Sequence, residues 1–203
     1  MKRFFNAILT LLLLAFVGCG ELVENFDDYV HGTLAPGGKY RIGDYYNENG
    51  EEGVIFWVDK TGEHGKILSL VEPNHCGWTA DADAQNQLIG TDSENNGLAN
   101  TLKVMKISDW ESKYPAFRWC TAFGEGWYLP AIEEVTIFTL NKKVRNAVNK
   151  TLTIKGMKLL NTGYYWSSTE VDDHRAFCVS MQYDDIFREG KYWNYNVRAV
   201  YAF

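Results

Sequence analysis

Residues 119–130, Trp119-Cys120-Thr121-Ala122-Phe123-Gly124-Glu125-Gly126-Trp127-Tyr128-Leu129-Pro130, hold a helix exit, a short aromatic run and a helix entry in direct succession. Gly124 stops the helical spacing upstream, because glycine takes up the backbone conformations that lie past a helix end at little cost. Pro130 opens the next helix, where its missing N–H removes no hydrogen bond. Glu133 and Glu134 then fall in the first turn, where the helix dipole favours negative charge. Ile132, Val135 and Phe138 follow as the stripe to be buried, and helical character continues through Val144, Ala147 and Val148.

Working upstream, a helical run opens at Pro115 and carries Ala116, Trp119, Cys120 and Phe123 on one face. Before it, Leu98, Leu102 and Met105 recur at helical spacing. Residues 79–96, rich in Asp, Asn and Gly, read as a surface loop. Still earlier, Gly53-Val54-Ile55-Phe56-Trp57-Val58 and Lys66-Ile67-Leu68-Ser69-Leu70-Val71 flank Asp59-Lys60-Thr61-Gly62, which is the pattern of a β-hairpin. Downstream, strand-like runs return at 164–169, 176–183 and 197–203. Strands, then helices, then strands predict an α+β domain over residues 39–203, with the two ends of the domain paired in one sheet.

The 46% hydrophobic and 15% aromatic content suits a packed core rather than a disordered chain. A net charge of -6, with no run of Lys or Arg, excludes nucleic acid as an expected partner. At the N-terminus, Lys2 and Arg3 precede an apolar run too short to span a bilayer, which ends in small residues, the layout of an export signal over residues 1–18. Phe16-Val17-Gly18-Cys19 resembles the bacterial lipobox, in which the cysteine becomes the first mature residue and carries lipid. Residues 19–38 are acidic, end in Ala35-Pro36-Gly37-Gly38, and read as a tether. No aspartate directly follows Cys19, and resemblance to lipoprotein sorting rules then implies the outer membrane or cell surface, with the lipid as the only membrane contact.

Three strings carry a family likeness: the one quoted first, then Tyr165-Trp166-Ser167-Ser168-Thr169-Glu170, then Val197-Arg198-Ala199-Val200, with Gly97-Leu98-Ala99-Asn100-Thr101 fitting a first helix. Together they resemble the bacterial branch of C-type-lectin-like domains, which includes the Fibrobacter major paralogous domain and the C-terminal domain of the Legionella collagen-like adhesin. The resemblance implies a mixed, largely antiparallel sheet with two or three helices and a long loop region, acting as an adhesin or display module. Trp127, Leu129 and Trp166 are then core anchors, and Ser167, Ser168 and Thr169 satisfy buried backbone groups at a sheet end.

Between Asp172 and Asn196 the composition turns to Tyr, Trp, Arg and Asn, the residues binding loops favour for contact area at low entropic cost. Tyr183, Phe187, Arg188, Tyr192, Trp193 and Tyr195 are the candidate contacts on a hairpin tip and its approaches, for an extracellular protein or glycan. Some members of the resembling family are diversified at adenines by retroelements, and the residue types crowded here are those such codons reach. The other expected role for the same face is docking into a fimbria or surface assembly.

Two triplets suggest calcium-dependent sugar binding and are set aside. Glu72-Pro73-Asn74 precedes the helices, out of place for that role. Trp193-Asn194-Tyr195 puts a tyrosine where a carboxylate is needed, and calcium takes about six to eight oxygen ligands. No metal or other cofactor is expected. Cys76, Cys120 and Cys178 make an odd set after Cys19, compatible with a Cys120–Cys178 bridge or with buried thiols. No metal-ligand, phosphate-loop or nucleophile-elbow motif is present, and no enzymatic activity is expected.

Overall fold

The computed structural model describes residues 38–80, 86–160 and 162–203. The export signal, the lipid site at Cys19 and the tether up to residue 37 lie outside the described residues, as does part of the predicted 79–96 loop.

The first hairpin joins β1 (Tyr45–Glu48) to β2 (Glu51–Val58) through Asn49 and Gly50, with φ of 57° and 85°. Positive φ at both positions gives the two-residue turn whose twist matches its strands, and Asn-Gly adopts it at least cost. β3 (Gly65–Leu68) returns after a turn fastened by Asp59, whose carboxylate accepts from Thr61 N at 3.1 Å and Thr61 Oγ1 at 2.7 Å. The last strand, β10 (Val200–Ala202), lies antiparallel between β3 and β5 (Trp127–Tyr128), so the sheet order is β1-β2-β3-β10-β5. The two ends of the domain meet in one sheet, and the fold is α+β.

A second antiparallel sheet holds β6 (Tyr164–Glu170), β7 (Arg175–Ser180) and β8 (Asp185–Gly190), and β4 (Cys76–Gly77) pairs with β9 (Asn194–Tyr195) in a short ribbon. Trp166, Cys178 and Phe187 are cross-strand partners and share one face of the second sheet. The other face turns Tyr165 toward Phe138 of a helix, ring centroids 6.3 Å apart.

The described residues form five helices, two more than the upper expectation: α1 (Gly97–Val104), α2 (Trp110–Lys113), α3 (Pro115–Thr121), α4 (Ile132–Thr139) and α5 (Lys142–Ile154). α2 is a single turn. α5 is separate from α4 because the Asn141 side chain interrupts the run and caps it, accepting from Lys143 N at 3.1 Å and Val144 N at 3.3 Å. α4 begins at Ile132 rather than Pro130; Pro130 stays outside the helix and its carbonyl accepts from Ser168 N at 2.8 Å. Ile132, Val135 and Phe138 face inward, as their spacing predicts. No helix of the described residues is long and apolar enough to cross a membrane.

Two helix faces differ from the apolar pattern. In α1, Leu102 and Met105 are 48% and 41% exposed, while Asn100, Thr101 and Val104 are buried. Hydrogen bonds decide the orientation: Asn100 Nδ2 donates to Ser93 O at 2.7 Å and Ser168 Oγ at 3.2 Å, and Thr101 Oγ1 accepts from Leu129 N at 3.2 Å. Facing outward, Asn100 would leave those loop groups unpaired, at a cost that outweighs burying a leucine. In α3 the helix stops at Thr121, so Phe123 falls on the following turn, with Trp119 edge-on to it at 5.0 Å and Trp127 tilted against it at 5.1 Å. Phe117 takes the inward place, edge-on to Trp78 at 4.9 Å.

Trp127, Leu129 and Trp166 are buried core members. Ser167 Oγ donates to Phe177 O at 2.7 Å, and Thr169 Oγ1 accepts from Ile132 N at 3.1 Å. Glu134 is a polar hub inside this frame: its carboxylate accepts from Lys66 Nζ at 2.6 Å, Tyr128 OH at 2.7 Å, Ala131 N at 2.8 Å and Gly97 N at 3.0 Å. Gly97 fits because a Cβ there would lie 2.6 Å from Ala131 N.

Candidate functional site

The aromatic segment does not form one hairpin tip; it divides between two places. Tyr183 sits at the β7–β8 turn, 60% exposed. Its neighbour Asp184, at φ 51°, is held to the start of α5 by Lys142 Nζ at 3.4 Å and Arg145 at 3.7 Å. Tyr192 and Trp193 project from the turn between β8 and β9, 53% and 48% exposed, with ring centroids 5.0 Å apart. A Cβ at Gly190 would lie 3.0 Å from Tyr192 Cδ1, so glycine there lets the Tyr192 ring fold back over the backbone.

Phe187 and Tyr195 are half-buried and pack against the core, and Arg188 is exposed with its guanidinium 5.5 Å from the Phe177 ring centre. The two exposed places are joined by ring contacts that run Tyr183–Phe187 at 5.9 Å, Phe187–Tyr164 at 5.5 Å, Tyr164–Tyr195 at 4.8 Å and Tyr195–Trp166 at 4.8 Å. Trp166 then donates through Nε1 to Trp193 O at 3.2 Å. Burial, with Glu189 adding to it, pushes the Tyr195 phenol well above its ordinary pKa, so the hydroxyl stays protonated at neutral pH. Tyr164, the ring that bridges the two halves, was not among the predicted contacts; the Tyr-Tyr-Trp run of β6 was its only sequence signal.

The support beneath Tyr192 was also unforeseen. Lys191 is fully buried, its ammonium donating to Glu170 Oε1 at 2.6 Å, Gln87 O at 3.0 Å and Asp173 O at 3.0 Å, and lying 4.7 Å from the Trp78 ring centre. Burial lowers the Lys191 pKa and the Glu170 carboxylate opposes that shift. Glu170 in turn accepts from Gly90 N at 2.7 Å and Thr91 N at 2.9 Å, which ties the long polar loop to the sheet.

Asp172, Asp173 and His174 bring donor atoms within 4.8 Å of one another at the β6–β7 turn. Asp172 is already committed: Oδ2 accepts from Arg175 Nε at 2.9 Å, and Oδ1 from Arg175 N at 2.7 Å and His174 N at 3.0 Å. The Arg175 hydrogen bond pulls its carboxyl down to about 2. Glu72 of the lectin-like triplet turns inward, with Arg198 Nε at 3.0 Å, Lys158 Nζ at 2.6 Å and the Tyr165 hydroxyl at 3.1 Å. Its carboxylate serves the core and is not presented to solvent. Cys76, Cys120 and Cys178 are all free thiols in the structure, Cys76 half-buried and the other two buried. The Cys120–Cys178 bridge is not formed.

No family model and no curated protein matches the chain. Among solved structures, a fimbrial protein from Bacteroides ovatus superposes with a TM-score of 0.61 at 17% identity, over 81% of this chain and 49% of that one. The chain therefore spans about half the length of that protein. At this identity the likeness is one of fold.

Proposed function

We propose that the chain is a non-catalytic, lipid-anchored module of the outer membrane or cell surface, with a C-type-lectin-like frame, that binds an extracellular protein or glycan. Tyr183, Arg188, Tyr192 and Trp193 make the contacts, and Phe187 and Tyr195 hold the contacting rings in place. The observation that carries this reading is the Tyr192–Trp193 pair, about half exposed yet fixed from below by the Trp166 hydrogen bond and the buried Lys191. Rings carried on a backbone that is already held bind with less further loss of conformational entropy. The absence of an enzymatic role is supported by Cys120 and Cys178, whose thiols burial holds protonated and away from nucleophilic use.

A second reading, a subunit of a fimbria or surface assembly, is favoured by the fimbrial fold likeness. It uses the same face, or the open edge of β8, against a neighbouring subunit. Residues 38–203, carrying the core described above, are applied to arrayed glycans and surface proteins and, separately, to sedimentation across concentration. Binding by a monomer supports the first reading, and self-assembly supports the second. If Tyr192→Ala with Trp193→Ala changes neither property, the face has no part in either. A near-copy of the coding stretch beside the gene, differing at adenines, tests the retroelement expectation.

A further inference from the structure

We propose that Cys76 and Cys120 are joined by a disulfide in the exported protein, tying strand β4 to helix α3. β4 consists of Cys76 and Gly77 alone, and α3 packs on it with Cα atoms of the two elements within 8 Å of each other. Just past β4, Trp78 sets its ring edge-on to Phe117 at 4.9 Å and to Tyr114 at 5.8 Å. Cys120 lies one helical turn beyond Phe117 on the same buried face. Cys76 stands two residues before Trp78, on the strand that α3 packs against.

The electrostatic surroundings agree with this placement. Burial pushes the Cys76 thiol up to about 11, and the Arg118 guanidinium of α3 opposes the shift. Burial also holds the Cys120 thiol well above its usual range, and the Cys76 sulfur adds to that push. Cys178 is set apart on the second sheet, its Sγ 3.9 Å from Phe187 O, with Glu189 as its charged neighbour. It remains the single thiol.

The pairing rests on export to an oxidising compartment, read from residues 1–19. Cys76, the less buried sulfur, attacks the disulfide of an oxidised oxidoreductase or of oxidised glutathione, and one oxidant sulfur leaves as a thiolate. The Cys120 thiolate then attacks Cys76 Sγ and displaces the second. One S–S bond forms in the protein and one breaks in the oxidant. The two cysteines lose two protons and two electrons, and the oxidant's two thiolates take up the protons. Because burial keeps both cysteines protonated in the folded chain, the exchange runs faster during folding than afterwards.

The test maps thiols in the full chain, trapped with N-ethylmaleimide in the cell envelope before lysis and digested without reductant. A Cys76 peptide linked to a Cys120 peptide, with Cys178 alkylated, is expected. The purified full chain, refolded in a glutathione redox buffer, gives the same link. A link that includes Cys178, or three alkylated cysteines in both samples, overturns the pairing. A Cys76–Cys120 link after refolding with three alkylated cysteines in cells overturns the proposal through its compartment rather than its geometry. Neither arm needs a variant, so no folding defect confounds the outcome.

Discussion

The ammonium of Lys191 meets the carboxylate of Glu170 at 2.6 Å, with both side chains sealed from solvent. Removing one partner from such a pair leaves a buried charge with no counterpart, at a cost of about 3–5 kcal/mol. Lys191→Met is therefore expected to lower the unfolding free energy by that amount, read as a lower urea midpoint at an unchanged m-value. Replacing both, as in Glu170→Met with Lys191→Met, recovers part of the loss, because apolar packing substitutes for a pair that contributes little net stability. The recovery is partial because Gly90 N and Thr91 N lose their acceptor. A double variant no better than the single one would remove the pair's coupling from this account.

The rings of the candidate face separate into contacts and supports. Trp193→Ala truncates a half-exposed ring and is expected to change folding stability by less than about 1 kcal/mol. Trp166→Ala empties a fully buried site and also leaves Trp193 O without its donor, at about 3–5 kcal/mol. Ligand binding or assembly falls in both, for different reasons. Thermal unfolding alongside the binding assay distinguishes them: an unchanged midpoint with lost binding marks a contact, and a lowered midpoint marks a support.

Hydrophobic spacing read the buried face of α4 correctly because its buried polar residues, Glu134 and Thr139, sit beside Ile132, Val135 and Phe138 without displacing them. The β2–β3 hairpin was legible for a similarly local reason, since strand-forming runs flanking Asp59-Lys60-Thr61-Gly62 act over a few residues; β1 and its Asn49-Gly50 turn were not read. The buried face of α1 was not legible. Its orientation follows from Ser93, Leu129 and Ser168, which meet Asn100 and Thr101 only in the folded chain. The same holds for Lys191 and Glu170, whose pairing depends on where β8 delivers the chain. At the candidate face, composition picked out the aromatic segment, but it could not tell exposed Tyr192 from half-buried Tyr195 three residues on. Cross-strand register makes that distinction, and register is a property of the whole sheet.

The inverted face of α1 has a direct consequence. Leu102→Lys and Met105→Lys place charge where the side chains already meet solvent, and each is expected to change stability by less than about 0.5 kcal/mol. Asn100→Leu, more apolar and close in size, is expected to destabilise by about 1–3 kcal/mol, since the backbone groups of Ser93 lose partners inside the fold. Chemical denaturation of the three variants decides the matter. Asn100→Leu milder than Leu102→Lys would put the apolar stripe back on the buried side.

Stability should fall steeply at alkaline pH, with an onset that reports the state of the cysteines. Tyr128 donates to Glu134 Oε1 at 2.7 Å from a buried site, and burial, with the Glu134 charge, holds its phenol far above the ordinary value of 10.0. An acid whose folded pKa is raised keeps its proton in the fold while the unfolded chain releases it. The stability it contributes is complete below the unfolded value and is lost as pH climbs past it, by at most about 1.4 kcal/mol per pH unit for each group. The three thiols behave alike from an unfolded value of 9.0, with Cys76 reaching about 11 in the fold. Fully reduced protein is therefore expected to lose stability from about pH 9, with the tyrosines steepening the fall above 10. Joining Cys76 to Cys120 withdraws two of the three thiols, leaving only Cys178 to act in the lower interval. Urea titrations between pH 7 and 11, with and without reductant, measure the difference, and superimposable curves would contradict the joined state.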